Sequence, residues 1–236
     1  MHLRGPIRFH SFNNIDVATS RCSVVPVFSK TSQSVINALW TVWWRLGIPR
    51  NIQVDNEMTF YGGPRHPRGM GALIRLCLNY GIEPWFIPVR EPWRNGIIEK
   101  FNHHYRQKFL RKIEMTTQTE LQEQSYNFEC RHNSSFRYSK LQGNTPMKVL
   151  ASSGHTLTFP EKKEPPKHPL KKPTNGKYHL VRLIRSNLKI SIFGEVFPVP
   201  SELMYEYVVA TVDVKEQKLK VFHNKIQVEE FDYNLR

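Results

Sequence analysis

The stretch Pro160 to Pro173, PEKKEPPKHPLKKP, holds five prolines and five lysines, and no continuous helix or ladder-paired strand can pass through it. Each proline removes a backbone N–H and fixes φ, and lysines are rarely buried without a partner. The stretch reads as a semi-extended basic linker. It divides the chain into residues 1–150, a connecting segment 151–176 and residues 177–236.

Before the linker the hydrophobic period switches repeatedly between two and about 3.6, the mark of a mixed α/β chain. Ile7 to Val17 reads as a strand. Arg21 to Phe28 reads as its hairpin partner across a polar turn at Ala18-Thr19-Ser20. Thr31 or Ser32 caps a helix carrying Val35, Leu39, Val42, Trp43 and Leu46, and Gly47 ends it with Pro49 just beyond. Ile52 to Asp55 is a short buried strand, and Gly62 to Gly71 a glycine- and proline-rich loop. A helix runs from about Ala72 to Tyr80, and Ile82 to Val89 is another strand. A long helix from about Asn95 to Glu114 carries Ile98, Phe101, Tyr105, Phe109 and Ile113, and a further one covers Gln118 to His132. After Gly176 only short alternating runs remain, such as HLVRLIR and YEYVVATVDV, which suggest a small closed β-barrel over 177–236.

The chain has 236 residues with 34 Lys plus Arg against 20 Asp plus Glu, a net charge of +14. Such a surplus calls for a polyanionic partner, nucleic acid above all. The apolar fraction of 39% is enough for a core and excludes a disordered basic tail. Cys22, Cys77 and Cys130 form no zinc spacing and read as buried thiols of a reducing compartment. The apolar runs are too short for a membrane span, and Met1-His2-Leu3-Arg4-Gly5-Pro6 has no secretory core segment. A cytoplasmic location is expected, or a nuclear one in a host with a nucleus.

Two segments carry candidate chemistry. In Gln53-Val54-Asp55-Asn56-Glu57 an apolar strand ends in an acid, which puts Asp55 at the carboxyl edge of a sheet, where α/β proteins place ligands. In Pro92-Trp93-Arg94-Asn95-Gly96-Ile97-Ile98-Glu99 a turn opens a helix with Glu99 in its first turns. Taken singly, Asp55 reads as a turn or helix-cap acid and Glu99 as a solvated acid near the positive end of a helix dipole. As a pair they can converge and share a divalent metal. Phosphoryl transfer at DNA uses two Mg²⁺ ions about 3.5–4 Å apart, and Mg²⁺ prefers oxygen ligands.

Asp55-Asn56 followed by Phe60, then Asn95-Gly96 with Glu99 and Asn102, resembles the integrase core of retroviral integrases and bacterial insertion-sequence transposases. Ile15-Asp16-Val17-Ala18-Thr19-Ser20-Arg21 and Asn144-Thr145-Pro146-Met147-Lys148-Val149-Leu150 match segments common in those transposases. The four motifs stand in the right order over about residues 5 to 150. The C-terminal part resembles, more weakly, the small β-barrel of Mu-type transposases. The resemblance implies a ribonuclease-H-like fold: a five-stranded mixed sheet flanked by helices, then the barrel. It implies 3′-end hydrolysis of element DNA and attack of that hydroxyl on target DNA. It also implies Asp55 and Glu99 as ligands of two Mg²⁺ (or Mn²⁺) ions, and a homo-oligomer holding two DNA ends.

The sequence departs from that family at its first carboxylate. The family's first Asp, on a central first strand, would fall at or before residue 2, and no acid stands there. Asp16 is the only acid before Asp55; it aligns with the second strand and is expected to shape the hairpin turn with Thr19 and Arg21. On this reading the chain is N-terminally truncated, with the strands at 7–17 and 52–55 each missing a partner and the chain prone to aggregate. A truncated DNA-binding remnant without catalysis is the alternative function, and a nuclease that only hydrolyses DNA is a third.

For DNA contact, Asn102, His103 and Arg106 lie three, four and seven positions after Glu99 and share its helix face. Lys100, Lys108, Arg111 and Lys112 add charge around it. Arg94, Asn95, Arg90 and Trp93 flank the preceding turn, where phosphate or a flipped-out base can be touched. The linker lysines 162, 163, 167, 171 and 172 are placed to follow a DNA backbone.

Overall fold

In a computed structural model the protein is described over residues 8–57, 60, 68–88 and 91–236. Arg90, the strand end at Val89 and most of the glycine-rich loop lie outside the described residues. The chain divides into two compact units: residues up to Ile48 with Gly96–Pro165, and Pro49–Asn95 with Pro166–Arg236.

The first unit is built on a hairpin of β1 (His10–Ile15) and β2 (Cys22–Val27), antiparallel from Ile15↔Cys22 to His10↔Val27. Asp16 makes its turn, as expected: its carboxylate accepts the N–H groups of Ala18 and Thr19 at 3.2 Å and the Thr19 hydroxyl. Its own N–H donates to the Arg21 carbonyl at 2.8 Å. Helix α1 (Ser32–Leu46) starts where Thr31 Oγ1 accepts the Ser34 N–H at 3.2 Å, the cap its sequence calls for. It stops at Gly47, whose φ of 94° favours glycine and where a Cβ would lie 3.3 Å from the Thr158 carbonyl. The Arg21 guanidinium donates to the carbonyls of Arg45 and Leu46, groups a helix end leaves unpaired.

Helix α3 (Gly96–Tyr105) presses Phe101 and Tyr105 into a core with Phe9, Cys22, Val24 and Leu121. These aromatics and Phe109 recur every four residues, so on a 3.6-residue helix the stripe drifts by about 40° per step. The backbone absorbs the drift by widening into a π-turn over Arg106–Leu110, with the Arg111 N–H bonded to the Arg106 carbonyl at 3.1 Å. The expected helix to Glu114 therefore ends early, and Ile113 is exposed.

Helix α4 (Gln118–Ser135) opens on a capping box: Thr117 Oγ1 accepts the Glu120 N–H at 3.1 Å while Glu120 accepts the Thr117 N–H at 3.2 Å. Thr117→Ala is expected to lower stability by about 1 kcal/mol, measurable as a drop in thermal midpoint.

The buried face of α4 is polar, with Ser125, Glu129, His132 and Asn133 inside, because it meets backbone. Asn133 accepts the Cys22 N–H at 2.8 Å and donates to the Cys22 carbonyl at 2.9 Å, while Glu129 accepts the Val24 N–H at 2.9 Å. Glu129 is held in turn by Arg45 at 2.7 Å. Two side chains four residues apart on a helix thus stand in for a neighbouring strand and close an edge of β2. A short helix α5 (Pro146–Ser152) follows, capped by Thr145 with proline in its first turn.

In the second unit β3 (Asn51–Val54) and β4 (Glu83–Phe86) run parallel, with α2 (Ala72–Asn79) between them in the chain, the element order expected. Beyond the linker come β5 (Lys177–Leu183), the hairpin β6 (Lys189–Ile192) with β7 (Glu195–Pro198), then β8 (Tyr207–Asp213), β9 (Lys218–His223) and β10 (Ile226–Asp232). The sheet order is β10-β9-β8-β5-β4-β3, so the fold class is mixed α/β, as expected.

The strands after 176 do not close on themselves as the expected barrel. β5 pairs in parallel with β4 at Trp85↔His179 and Phe86↔Leu180, giving β4's second edge a partner, and β8–β9–β10 extend the sheet as a meander. The structure also divides differently from the boundaries expected at 150 and 176, because this pairing joins residues 49–95 to the C-terminal strands. The linker has no regular structure, yet it is tied down: Leu170 is buried, and Arg75, Asn79 and Lys172 bond to the carbonyls of Leu170, Lys171 and Leu235. Among the described strands β1 pairs only with β2, and β3 ends its sheet.

Candidate nucleic-acid and metal site

In the second unit Asp55 follows the last residue of β3, at the carboxyl edge of the sheet as expected. It is exposed, and its carboxylate accepts the Glu57 N–H at 3.1 Å. The next residue explains the pairing of Asp with Asn in this motif. Asn56 Nδ2 donates to the Ile87 carbonyl just past β4 at 2.6 Å, and its Oδ1 accepts from Arg182 of β5 at 3.1 Å. Arg182 also reaches the Ile87 carbonyl, at 3.3 Å. Asn56 and Arg182 thus fasten the end of β3 to the ends of β4 and β5, which fixes the backbone that presents Asp55.

Arg182 was not picked out by sequence reasoning. Its signal was present: in YHLVRLIR it falls on the same strand face as Tyr178 and Leu180, so a guanidinium stands on an inward face, and it is only 8% exposed. A buried charge of this kind needs dedicated acceptors.

Arg94 and Asn95 lie on a 3₁₀ turn, Pro92–Asn95, that leads into α3. Gln53 of β3 donates to the Asn95 side chain at 2.8 Å and to the Arg94 carbonyl at 3.3 Å, so the turn is tethered beside Asp55's own strand. Gln53, Trp85, Arg94 and Val181 line a cleft of roughly 300 Å³. Trp93 is 68% exposed.

In the first unit Glu99 lies exposed in the first turn of α3. Lys100, His103, Arg106 and Lys108 are exposed with it. Arg106 and Lys108 sit in the π-turn, so their place relative to Glu99 follows the wider turn rather than a regular 3.6-residue face. Asn102 is different: half-buried, its Oδ1 accepts from Asn13 of β1 at 2.8 Å. That contact holds the helix to the hairpin and gives Asn102 a structural task.

The predicted residues therefore fall into two groups, Asp55 with Arg94 and Asn95 in one unit and Glu99 with Lys100, Asn102, His103, Arg106 and Lys108 in the other. Among the described residues no group of three or more His, Cys, Asp or Glu side chains is gathered to hold a metal ion. Asp16, the only acid before Asp55, has its carboxylate taken up by the hairpin turn. Of the cysteines, Cys22 and Cys77 are buried, which pushes their thiols up, while Cys130 is exposed, contrary to expectation. Among the described residues no helix is long and apolar enough to cross a membrane.

Residues 80–146 match the family model of the integrase core domain. This stretch contains the turn at 92–95 and the Glu99 helix; Asp55 precedes it. No curated protein gives a match. Among solved structures the chain is similar to the simian T-cell lymphotropic virus intasome in complex with PP2A regulatory subunit B56 gamma, seen by cryoEM. Identity there is 13%, with 99% of this chain and 80% of that chain covered and a TM-score of 0.47.

Proposed function

We propose that the chain acts on DNA as an integrase- or transposase-type core, carrying out metal-dependent phosphodiester hydrolysis and strand transfer. The observation that carries this reading is the integrase core match over 80–146, with Glu99 in the first turn of the helix that the match contains. Asp55 and Glu99 are the carboxylates that would hold the ions, Mg²⁺ or Mn²⁺. Both side chains are exposed, and carboxylate oxygens are the donors hard divalent cations take. When bound, such ions activate the attacking oxygen and stabilise the leaving one. Arg94, Asn95, Lys100, His103, Arg106 and Lys108 then bind the phosphate backbone, and the chain works as a multimer on paired DNA ends.

The test is a strand-transfer assay on labelled duplex with Mg²⁺ or Mn²⁺. Joined product is expected, and it should vanish in D55N and in E99Q. Nicks without joined product point to a hydrolytic nuclease. Binding should weaken by about 0.9 log units of affinity per log unit of salt for each phosphate neutralised. Replacing Lys100 or Lys108 by Gln should flatten that slope by about one contact each. Affinity indifferent to salt sinks the DNA reading.

The state of Asp16 favours a second reading, a DNA-binding chain without chemistry. Salt-sensitive binding with no product under either ion would select it.

A further inference from the structure

Glu91 is an acid placed where a DNA-binding face should repel acids. It stands just before the turn that carries Arg94. Its side chain is 11% exposed, and the Arg94 Nε lies 2.7 Å from its Oε2. The hydroxyl of Tyr207, at the start of β8, lies 2.9 and 2.8 Å from its two oxygens. The Arg94 guanidinium carbon lies 3.9 Å above the Tyr207 ring, a cation–π stack that fixes the direction of the guanidinium. Burial pushes the Glu91 carboxyl up, but the hydrogen bonds from Arg94 and Tyr207 and the charges of Arg94 and Arg185 outweigh it and hold the group below its ordinary value.

Two donors, one of them positively charged, thus converge on a pair of oxygens. That is what the two non-bridging oxygens of a phosphodiester need, and arginine forks serve carboxylate and phosphate alike. The three residues come from two stretches, Glu91 and Arg94 beside the turn and Tyr207 from the far side of the linker, so the fold brings the cluster together.

We propose that Arg94 and Tyr207 form a phosphate-binding site which Glu91 occupies in the free chain, and that a DNA phosphate enters by displacing the Glu91 carboxylate. The proposal rests on the DNA reading above and adds Tyr207 to the DNA contacts. Glu91 is then a competitor: it keeps Arg94 oriented and paired until a stronger anion arrives. Opening it sets the affinity of the site.

The test is fluorescence-anisotropy binding of a labelled duplex to the full chain at low salt. Glu91→Gln should raise affinity about three- to ten-fold and steepen the log–log salt dependence by about 0.9, one added phosphate contact. Glu202→Gln, at an exposed carboxylate, makes the same charge change and should move affinity much less. Arg94→Gln in the Glu91→Gln background should remove the gain. Glu91→Asp keeps the charge but shortens the reach, so a rise in its affinity cannot come from net charge; it also stands in if Glu91→Gln melts early. A Glu91→Gln effect equal to that of Glu202→Gln, or a loss of affinity in both Glu91 variants, overturns the site while wild-type binding leaves the DNA reading standing. Absence of duplex binding in every chain overturns both.

Discussion

Asn133→Leu is expected to destabilise the protein by about 2–6 kcal/mol. The side chain satisfies both the N–H and the carbonyl of Cys22, at 2.8 and 2.9 Å, in a buried position. Leucine matches its bulk but can do neither, and each buried backbone group left unpaired costs about 1–3 kcal/mol. Against a typical stability of about 5–15 kcal/mol, the variant should shift its urea midpoint far down or fail to fold. Asn133→Asp keeps the acceptor and loses the donor, so it should fall between. Asn127→Ala, exposed on the same helix, should stay within about 0.5 kcal/mol. If Asn133→Leu costs less than about 1 kcal/mol, α4 is not the device that closes the β2 edge.

The second large effect is on pH. His132 is 4% exposed, stacked on Phe136 at 5.2 Å and edge-on to Phe101 at 5.2 Å. Its Nε2 shares a hydrogen bond of 2.8 Å with the Tyr138 hydroxyl. Burial first, then the neighbouring His104, lowers its pKa from 6.5 to about 4. A histidine depressed in the folded state binds protons more readily when unfolded. Stability is therefore full above pH 6.5 and falls as the pH drops from 6.5 towards 4. Each pKa unit is worth 1.36 kcal/mol, so the loss attributable to His132 is about 3 kcal/mol. His104, lowered by burial and by Lys108 and His103, acts in the same direction. Urea melts at pH 7.5 and 4.5 should show the loss, and His132→Gln should flatten it. A stability profile level across this window, or one that His132→Gln leaves unchanged, counts against a neutral buried ring.

What was legible in the sequence was what neighbouring residues settle among themselves. Asp16, Thr19 and Arg21 make a turn because their groups reach each other within a few bonds. Thr31 and Gly47 bound a helix because a side chain and backbone freedom serve groups one turn away. Asp55 and Glu99 could be placed at a strand end and a helix start for the same reason.

The long-range partners were not legible. The π-turn after Tyr105 answers a stripe of aromatics that must keep facing a core. The polar inner face of α4 reads as solvated until the bare edge of β2 is set against it. The assignment of residues 177–236 to a separate barrel failed at β5, since its alternation fits any neighbour and only the open edge of β4 selects one. Likewise Glu91, Arg94 and Tyr207 carry no common motif. Local chemistry acts across a few residues and leaves its mark in their order. Hydrogen-bond ladders and converging charges join residues far apart in the chain, and only folding brings those together.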